Sequence, residues 1–267
     1  MTAGAGGEDG LSEHQKRLAI DVHSEQAELF ARRYQEIGED PYRNSFVYSR
    51  KRLNEWLDRF MPEDGKGVKL LDVGCGTGYH LRRYRERGFQ ISGVDGSADM
   101  LAQASAANPG IEFEQADVDK LPYADASFDL VLCVEVYRYL PDIGPCTLEI
   151  ARVLKPGGVA LVTAAPPLQA SLYPLVNRLT TAIPLGNLTR LRQFFQSEGR
   201  LLASFAAAGF KQTEVHGVYG GPWIWLERFA AFVMPALLRA WEPIDAATAD
   251  APVLRHLSNM FLVRAQK

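Results

Sequence analysis

The chain has 267 residues, a formal net charge of −3 at pH 7, a pI near 6.0 and a hydrophobic fraction of 47%. This length suits one sizeable domain with additional segments and is short for two full domains, and the composition is that of an ordinary globular protein. Because nucleic-acid binding requires a basic surface, these values lead us to expect no nucleic-acid partner.

The cysteines and the N-terminus narrow the class of protein further. The three cysteines, Cys75, Cys133 and Cys146, are odd in number and lack the spacing of a metal site, so we expect buried free thiols and no metal. Residues 1–12 lack the basic and apolar segments of a secretory signal and are predicted to form a disordered tail. These features together favour a cytoplasmic protein.

Residues 13–62 carry apolar residues at helical spacings. The pattern predicts one helix over about residues 12–36, with or without a break, and a second helix from Ser49 to Phe60. The Asp40-Pro41 pair separates the two, since proline disfavours a helical residue before it.

Residues 68–78 are the most informative stretch. An apolar run there predicts a buried strand that ends at Asp72, and glycines follow at Gly74, Gly76 and Gly78. Because glycine lacks Cβ, such a turn lies close against a flat ligand, and a strand, a glycine turn and a helix form a nucleotide-type crevice. A dinucleotide fingerprint requires glycine where this chain has Tyr79, and the Gly-Lys-Ser/Thr of a P-loop is absent.

The remaining pattern, acidic-x-Gly-x-Gly-x-Gly, resembles the class I S-adenosylmethionine (SAM)-dependent methyltransferases. A second predicted strand over residues 89–94 ends at Asp95, about 20 residues beyond the loop, where a carboxylate accepts hydrogen bonds from ribose hydroxyls. A third, over residues 111–115, leads to Asp117 and Val118. The resemblance implies that Asp117 accepts from the adenine amine and that the Val118 backbone N–H lies beside it.

Residues 127–133 and 152–158 resemble the fourth strand of this family and its turn into the fifth strand. Five matches in the family's order, across about residues 68–165, make the resemblance specific. It implies SAM as cofactor and S-adenosylhomocysteine (SAH) as product. The expected cofactor-binding residues are Asp72, Gly74, Cys75, Gly76, Gly78, Asp95, Gly96, Asp117, Val118 and Cys133.

The alternation of strands and helices predicts an α/β fold with a Rossmann-like, doubly wound, mostly parallel seven-stranded sheet. Strands are predicted over residues 211–218 and 259–265, and the resemblance implies that the last strand is antiparallel. A helix is predicted from Ser197 to Ala208. We expect a helical lid over residues 13–62 and a SAM-binding domain over residues 63–267, with cap insertions at about 166–196 and 219–257.

Aromatic residues in the insertions and the lid are candidates for an apolar acceptor pocket, since ligand pockets are mostly apolar with few polar groups. They are Tyr34, Tyr137, Phe194, Phe195, Trp223 and Trp225. The alternative is that these residues form the core of an enlarged cap. A third interpretation, contact of residues 223–241 with a membrane surface, is disfavoured by the few basic residues there.

The predicted activity is methyl transfer from SAM to a small, largely apolar acceptor at oxygen. Methylation of nitrogen or carbon on a quinone, lipid or specialised metabolite remains open, as does a catalytically silent SAM-binding or scaffold protein. Candidate catalytic groups are His216 and Glu135, whereas His14, His23, His80 and His256 receive no role. The sequence predicts no oligomeric state.

Overall fold

The computed structural model describes residues 5–35, 37, 40–182 and 191–267. The described residues form one seven-stranded sheet in the order β3-β2-β1-β4-β5-β7-β6. The strands are β1 Lys69–Val73, β2 Gln90–Asp95, β3 Glu112–Gln115, β4 Phe128–Cys133, β5 Leu154–Ala164, β6 Gln212–Tyr219 and β7 Met260–Gln266.

Strands β1 to β5 pair in parallel, and β7 lies antiparallel between β5 and β6. The predicted fold class and the reversed last strand are therefore confirmed. The strand order reverses at β1, which pairs with β2 on one side and with β4 on the other. In doubly wound sheets a ligand crevice opens at this switch point, beyond the carboxyl ends of the strands.

Side-chain caps begin several of the helices. The helices of the described residues are α1 Ala5–Glu25, α2 Ala27–Gln35, α3 Ser45–Phe60, α4 Tyr79–Arg85, α5 Ala98–Ala107, α6 Gly144–Val153, α7 Tyr173–Ala182, α8 Glu198–Ala207, α9 Trp223–Ala230 and α10 Met234–Thr248, with 3₁₀ turns at Tyr137–Tyr139, Ala231–Val233 and Leu254–Leu257. Ser97 caps α5 and Ser197 caps α8, because each side chain accepts a hydrogen bond from the backbone N–H three residues later.

Two N-terminal predictions need correction. The first predicted helix begins at Ala5 and not near residue 12, so α1 includes residues 5–12 of the predicted tail, and residues 1–4 lie outside the described part. Helix α3 begins at Ser45 and not at Ser49, because the Asn44 side chain accepts from Val47 N at 2.8 Å and caps the helix earlier. Of residues 166–196, which are predicted to form a cap insertion, residues 183–190 lie outside the described part of the chain.

Apolar residues cover both faces of the sheet. Successive strand residues point to opposite faces, so Leu71 joins one apolar layer, which includes Ile150 of α6 and Phe205 of α8. Leu70 joins the other layer, which includes Leu57 of α3. All five of these side chains are fully buried. The two-sided burial holds the strand ends in fixed positions and therefore the residues of the crevice as well.

The second insertion packs on the N-terminal helices. Tyr48 of α3 and Trp223 of α9 share a small buried cluster with Met234 of α10. The Tyr48 hydroxyl donates to Asp245 of α10 at 2.7 Å, and Arg52 Nε donates to the same carboxylate at 3.1 Å. Helices α3, α9 and α10 therefore form one unit beside the sheet.

Candidate functional site

A cavity of about 360 Å³ lies at the carboxyl ends of β1, β2 and β4 and is covered by α1, α2 and α3. Its volume is within the range of small-molecule and cofactor sites. Eight of the ten residues expected to bind the cofactor line it: Asp72, Gly74, Cys75, Gly76, Asp95, Gly96, Asp117 and Val118. The other two lie elsewhere. Gly78 caps α4 beside Asn108, and Cys133 is fully buried in the core.

The glycine loop forms the floor of the cavity. Gly74 and Gly76 have positive φ angles of 71° and 53°, which disfavour any residue with a side chain. A Cβ at Gly74 would lie 2.2 Å from the Val136 side chain, whereas a Cβ at Gly76 would meet no atom within 4 Å. The bare backbone at Gly76 therefore leaves room in the cavity that a side chain would fill.

Asp72 is the next-to-last residue of β1 and is 1% exposed. Among the described residues, no group donates a hydrogen bond to either of its carboxylate oxygens. Burial, together with the negative charge of Asp95, raises the pKa of Asp72 well above its usual range. A buried carboxylate of this kind attracts a cationic hydrogen-bond donor from a ligand.

Asp95 ties the loop to the next helix. Its Oδ2 accepts from Gly76 N at 2.9 Å, and its Oδ1 accepts from Ser97 N at 2.9 Å. Burial raises the pKa of Asp95 on balance, although the hydrogen bonds from Ser97 and Gly76 oppose that effect. Each carboxylate oxygen keeps lone pairs for a further donor, such as a sugar hydroxyl.

Helix α1 crosses the cavity at Asp117. Lys16 Nζ donates to Asp117 at 3.0 Å and to Asp119 at 2.8 Å. One turn further along α1, Ile20 lies so close to Gly96 that a Cβ there would be 2.7 Å from its side chain. The side of the cavity where we expected adenine to bind is therefore covered by this helix.

Two arginines and one glutamate lie together at the other end. Arg138 donates to the Glu135 carboxylate, and Arg50 Nη2 lies 3.6 Å from it. Burial alone would raise the pKa of Glu135, but Arg138 and Arg50 lower it on balance. Glu135 therefore stays ionised, which makes it a poor general base and a good partner for the two guanidiniums. This end carries one more positive than negative charge.

Two further features of the end with Glu135 and Arg50 are typical of a binding region. Glu135 has a φ of 64°, a left-handed conformation that costs energy in a residue with a side chain. Its backbone N–H donates to the Thr163 hydroxyl at 2.6 Å, which holds it there. Arg50 is 5% exposed, and among the described residues no group accepts from its Nε or Nη1. These nitrogens are donors for an anionic ligand group.

His80 lines the cavity but is a weak candidate for acid–base chemistry. Burial, with the nearby Arg50 and Arg83, lowers the pKa of His80 to about 3. The ring is therefore neutral near pH 7. Within the described residues, neither ring nitrogen has a hydrogen-bond partner.

The candidate acceptor residues are spread over several places. Tyr34 lines the cavity and stacks on Tyr79 with ring centroids 4.6 Å apart. Tyr137 is instead a core residue with no exposed surface, and its hydroxyl lies 2.7 Å from that of Thr147. The reason is the 3₁₀ turn, which sends successive side chains about 120° apart, so that Arg138 faces the cavity in its place.

The aromatic residues of the insertions do not line this cavity. Phe194 N donates to Arg138 O at 2.8 Å, so the segment holding Phe194 and Phe195 is directly behind the cavity wall. Trp223 packs in the cluster with Tyr48, and Trp225 Nε1 donates to Ser171 O. The surroundings of Trp223 are therefore those of a core residue of the cap and not those of a pocket residue.

His216 lies outside the cavity as well. It is on β6, the outermost strand at one edge of the sheet, with its ring 4.8 Å from that of Trp56. Its Nδ1 is 3.0 Å from Asp250 Oδ2. This placement gives His216 a structural environment and no access to the cavity.

Several cavity residues have no counterpart among the sequence predictions. Lys16, Ile20 and His23 line the cavity from α1, and Phe30 and Phe46 line it from α2 and α3. The spacing of the first three, at i, i+4 and i+7, places them on one helix face, which is the signal that could have identified them. His23 packs edge-on against Tyr139, with ring centroids 4.8 Å apart.

Comparison with known proteins agrees with this geometry. Residues 71–162 match a family model described as a methyltransferase domain. A malonyl-[acyl-carrier protein] O-methyltransferase of Erwinia billingiae is 36% identical over 96 residues, which cover 36% of this chain and 38% of that protein. The chain thus matches well under half the length of this curated relative.

Two solved structures share the fold. A SAM-dependent methyltransferase from Mesorhizobium loti aligns with a TM-score of 0.58 and 24% identity, over 80% of this chain and 96% of that one. The [4+2]-cyclase SpnF aligns with a TM-score of 0.57 and 25% identity, over 86% of this chain and 84% of that one.

The residues of the cavity fit SAM. Asp72 has two free carboxylate oxygens for an ammonium group, Arg50 has free donors for a carboxylate, and the bare loop at Gly76 leaves space beside them. In the part of the chain that the structure describes, no cluster of three or more His, Cys, Asp or Glu side chains is placed to hold a metal ion.

Proposed function

We propose that the protein transfers a methyl group from SAM to an oxygen atom of a small, largely apolar acceptor, since residues 71–162 match a family model described as a methyltransferase domain. The observation that carries this proposal is a single cavity. It joins the glycine loop, Asp72 and Asp95 at one end to an aromatic wall with a buried arginine at the other.

The chain's own groups would hold the cofactor and exclude water. When bound, SAM supplies an electrophilic methyl group on a positively charged sulfur. The Asp72 carboxylate would accept from the ammonium of its amino-acid part, Arg50 would donate to the carboxylate, and Asp95 would accept from the ribose hydroxyls. Helix α1 covers this end of the cavity, and its Ile20 side chain packs against Gly96, where it would help to exclude water.

The acceptor end favours an oxygen nucleophile. Phe30, Phe46 and Leu140 contribute apolar surface, and Arg138 contributes a permanent positive charge. A guanidinium stabilises the anionic form of a phenol or carboxylic acid, which then needs no general base. An amine acceptor would have to lose a proton, and a neutral His80 with a pKa of about 3 is a weak base for that step.

The similarity to an O-methyltransferase also supports methylation at oxygen. The acceptor named for that relative is not carried over to this chain. The alternative is a SAM-binding protein that does not transfer the methyl group. The likeness to the [4+2]-cyclase SpnF supports this alternative, since one fold supports several reactions.

The test uses SAM labelled in its methyl group, with matched aromatic or fatty compounds that differ only in a phenol, carboxyl, alcohol or amine group. We expect label in the phenol or carboxyl products. Label found solely in amine products would contradict the oxygen assignment. Binding of SAH by calorimetry without transfer to any acceptor would favour the silent alternative.

A matched pair of arginine variants examines the acceptor end. Arg138→Gln should raise KM for an acidic acceptor by about tenfold or more, because it removes one charge-assisted contact, while SAH affinity stays the same. Arg82→Gln, at a side chain 76% exposed on α4, is the control. An unchanged KM in Arg138→Gln would remove this residue from the acceptor site.

A further inference from the structure

Large apolar side chains are exposed on two helices and on the turn after one of them, and together they are here called the apolar face. Phe229 is 82% exposed and Phe232 is 87% exposed, although both are large aromatic residues. Apolar patches of this kind on a protein surface mark contacts with a partner or a membrane. The apolar face comprises Leu172, Leu175 and Leu179 at α7 and Leu226, Phe229 and Phe232 at α9 and the turn after it.

Hydrogen bonds place the two helices together and beside the cavity. Trp225 Nε1 of α9 donates to Ser171 O, two residues before α7 begins. Tyr173, the first residue of α7, packs edge-on against Phe195, and the neighbouring Phe194 N donates to Arg138 O of the cavity wall. The apolar face therefore adjoins the acceptor end of the cavity.

Basic side chains outnumber acidic ones in the segments that carry the apolar face. Residues 166–196 contain three arginines and no acidic residue, and residues 219–241 contain two arginines and one glutamate. Of these five arginines, Arg190 lies outside the described residues and Arg239 donates to Asp40. The single glutamate, Glu227, is turned toward α3, where it accepts from Ser45 N at 3.0 Å. Arg178 and Arg228 are exposed.

We propose that the apolar face docks on the surface of an anionic lipid bilayer, with α7 and α9 lying in the interface. Protruding phenylalanines and leucines bordered by arginines are the pattern that inserts among lipid headgroups. Among the described residues no helix has the length and apolarity to cross a bilayer, so the contact is interfacial.

A second copy of the chain fits this surface less well. A two-fold contact would bring the same basic segments against each other, and like charges repel. The sequence alone argued against membrane contact because it shows few basic residues over residues 223–241. The structure brings the start of α7, a helix with the exposed Arg178, against α9, and this basic side chain adds to those of residues 223–241.

The position of the apolar face adds a consequence for the acceptor, which rests on the proposed function. An acceptor dissolved in the bilayer would reach the Arg138 end of the cavity without crossing water. This refines the acceptor class to a lipid-soluble compound with one ionisable oxygen group.

Sedimentation of the full chain with lipid vesicles tests the docking. We expect binding to vesicles of phosphatidylcholine with phosphatidylglycerol, weakened by salt, and little binding to phosphatidylcholine alone. The double variant Phe229→Ser and Phe232→Ser should bind at least about tenfold more weakly, since it loses two aromatic side chains that would be buried in the bilayer. Leu148→Ser, at a leucine 54% exposed on α6, should bind like the parent.

The other outcomes overturn the proposal. These are absence of vesicle binding, equal binding to both vesicle types, or equal loss in the Leu148 variant. A parent that is dimeric by light scattering, with the double variant monomeric and no vesicle binding, would assign the apolar face to a second copy. Vesicle binding needs no methyl transfer, so failure here leaves the proposed reaction standing, and unchanged SAH affinity in the double variant shows that the fold is intact.

Discussion

Asp72 gives the sharpest test of the site, because replacing it should stabilise the protein and weaken its ligand. The carboxylate is 1% exposed, and among the described residues it has no hydrogen-bond donor. Leaving a buried polar group unsatisfied costs about 1–3 kcal/mol, and more for a charge. Asp72→Asn keeps the shape of the side chain and removes the charge.

We therefore expect the ligand-free Asp72→Asn protein to be more stable than the parent by about 2 kcal/mol. For a chain of this size, that corresponds to an increase in Tm of about 4–8 °C. The same change should weaken SAH binding by about tenfold or more, because the ligand ammonium loses a charge-assisted hydrogen bond. Thermal unfolding with and without SAH, and calorimetric titration, measure both effects.

The pH dependence follows from the direction of the shift. The pKa of Asp72 is raised in the folded protein, so the ionised carboxylate destabilises the fold at pH values above that raised pKa. As the pH falls below it, the folded protein binds a proton that the unfolded chain does not, so the penalty shrinks and vanishes only below the ordinary pKa of an unfolded aspartate. The Tm advantage of Asp72→Asn should therefore be largest near neutral pH and shrink toward acidic pH.

Asp64→Asn is the matched control, since Asp64 is an exposed turn residue whose Oδ1 accepts from Lys66 N and can be replaced by an amide oxygen. It should change neither Tm nor SAH affinity appreciably. An Asp72→Asn protein that is less stable than the parent at neutral pH, or that keeps its full SAH-induced rise in Tm, would refute the reasoning.

Three further changes test other parts of the site. Asp95→Ala should weaken SAH binding by about 2 kcal/mol or more, measured by calorimetry, because it removes a bidentate acceptor; affinity within twofold of the parent would be contrary to the ribose assignment. Gly76→Val should fold with a loss of about 1–3 kcal/mol from its φ of 53° and should not bind SAH, since the side chain projects into the cavity; normal binding would remove the loop from the site. His216→Gln should lower the free energy of unfolding by about 1 kcal/mol through its lost contact with Asp250, with SAH affinity unchanged; reduced affinity would show that the strand edge is coupled to the cavity.

The elements that depend on local patterns were predictable from the sequence. A few neighbouring residues are enough to encode the glycine loop. The same holds for the alternation of strands and helices and for the acids at the ends of β1 and β2. For the same reason, eight of the expected cofactor residues lie around one cavity. The sheet brings these strand ends together without contributions from distant segments.

The rest depends on contacts between distant segments. Lys16 and Asp117 are 101 positions apart, and no local pattern indicates that they meet. Trp223 lies in an aromatic segment whose sequence suggested an acceptor pocket. It packs on Tyr48 instead, because α3, α9 and α10 form their own core. Tyr137 and Arg138 are adjacent, and only the 3₁₀ turn decides which of them is buried.

The contact of α1 with the cavity has a consequence for ligand exchange, because this helix covers the side of the cavity where adenine is expected to bind. Lys16 pairs with Asp117, whose side chain is 45% exposed, and with Asp119, whose side chain is 19% exposed, while Ile20 packs against Gly96. Ion pairs in contact with water contribute at most about 1 kcal/mol each and weaken as salt is added. We expect α1 to move aside, on the timescale of loop and domain motions, before SAH leaves, and we expect salt to speed that release.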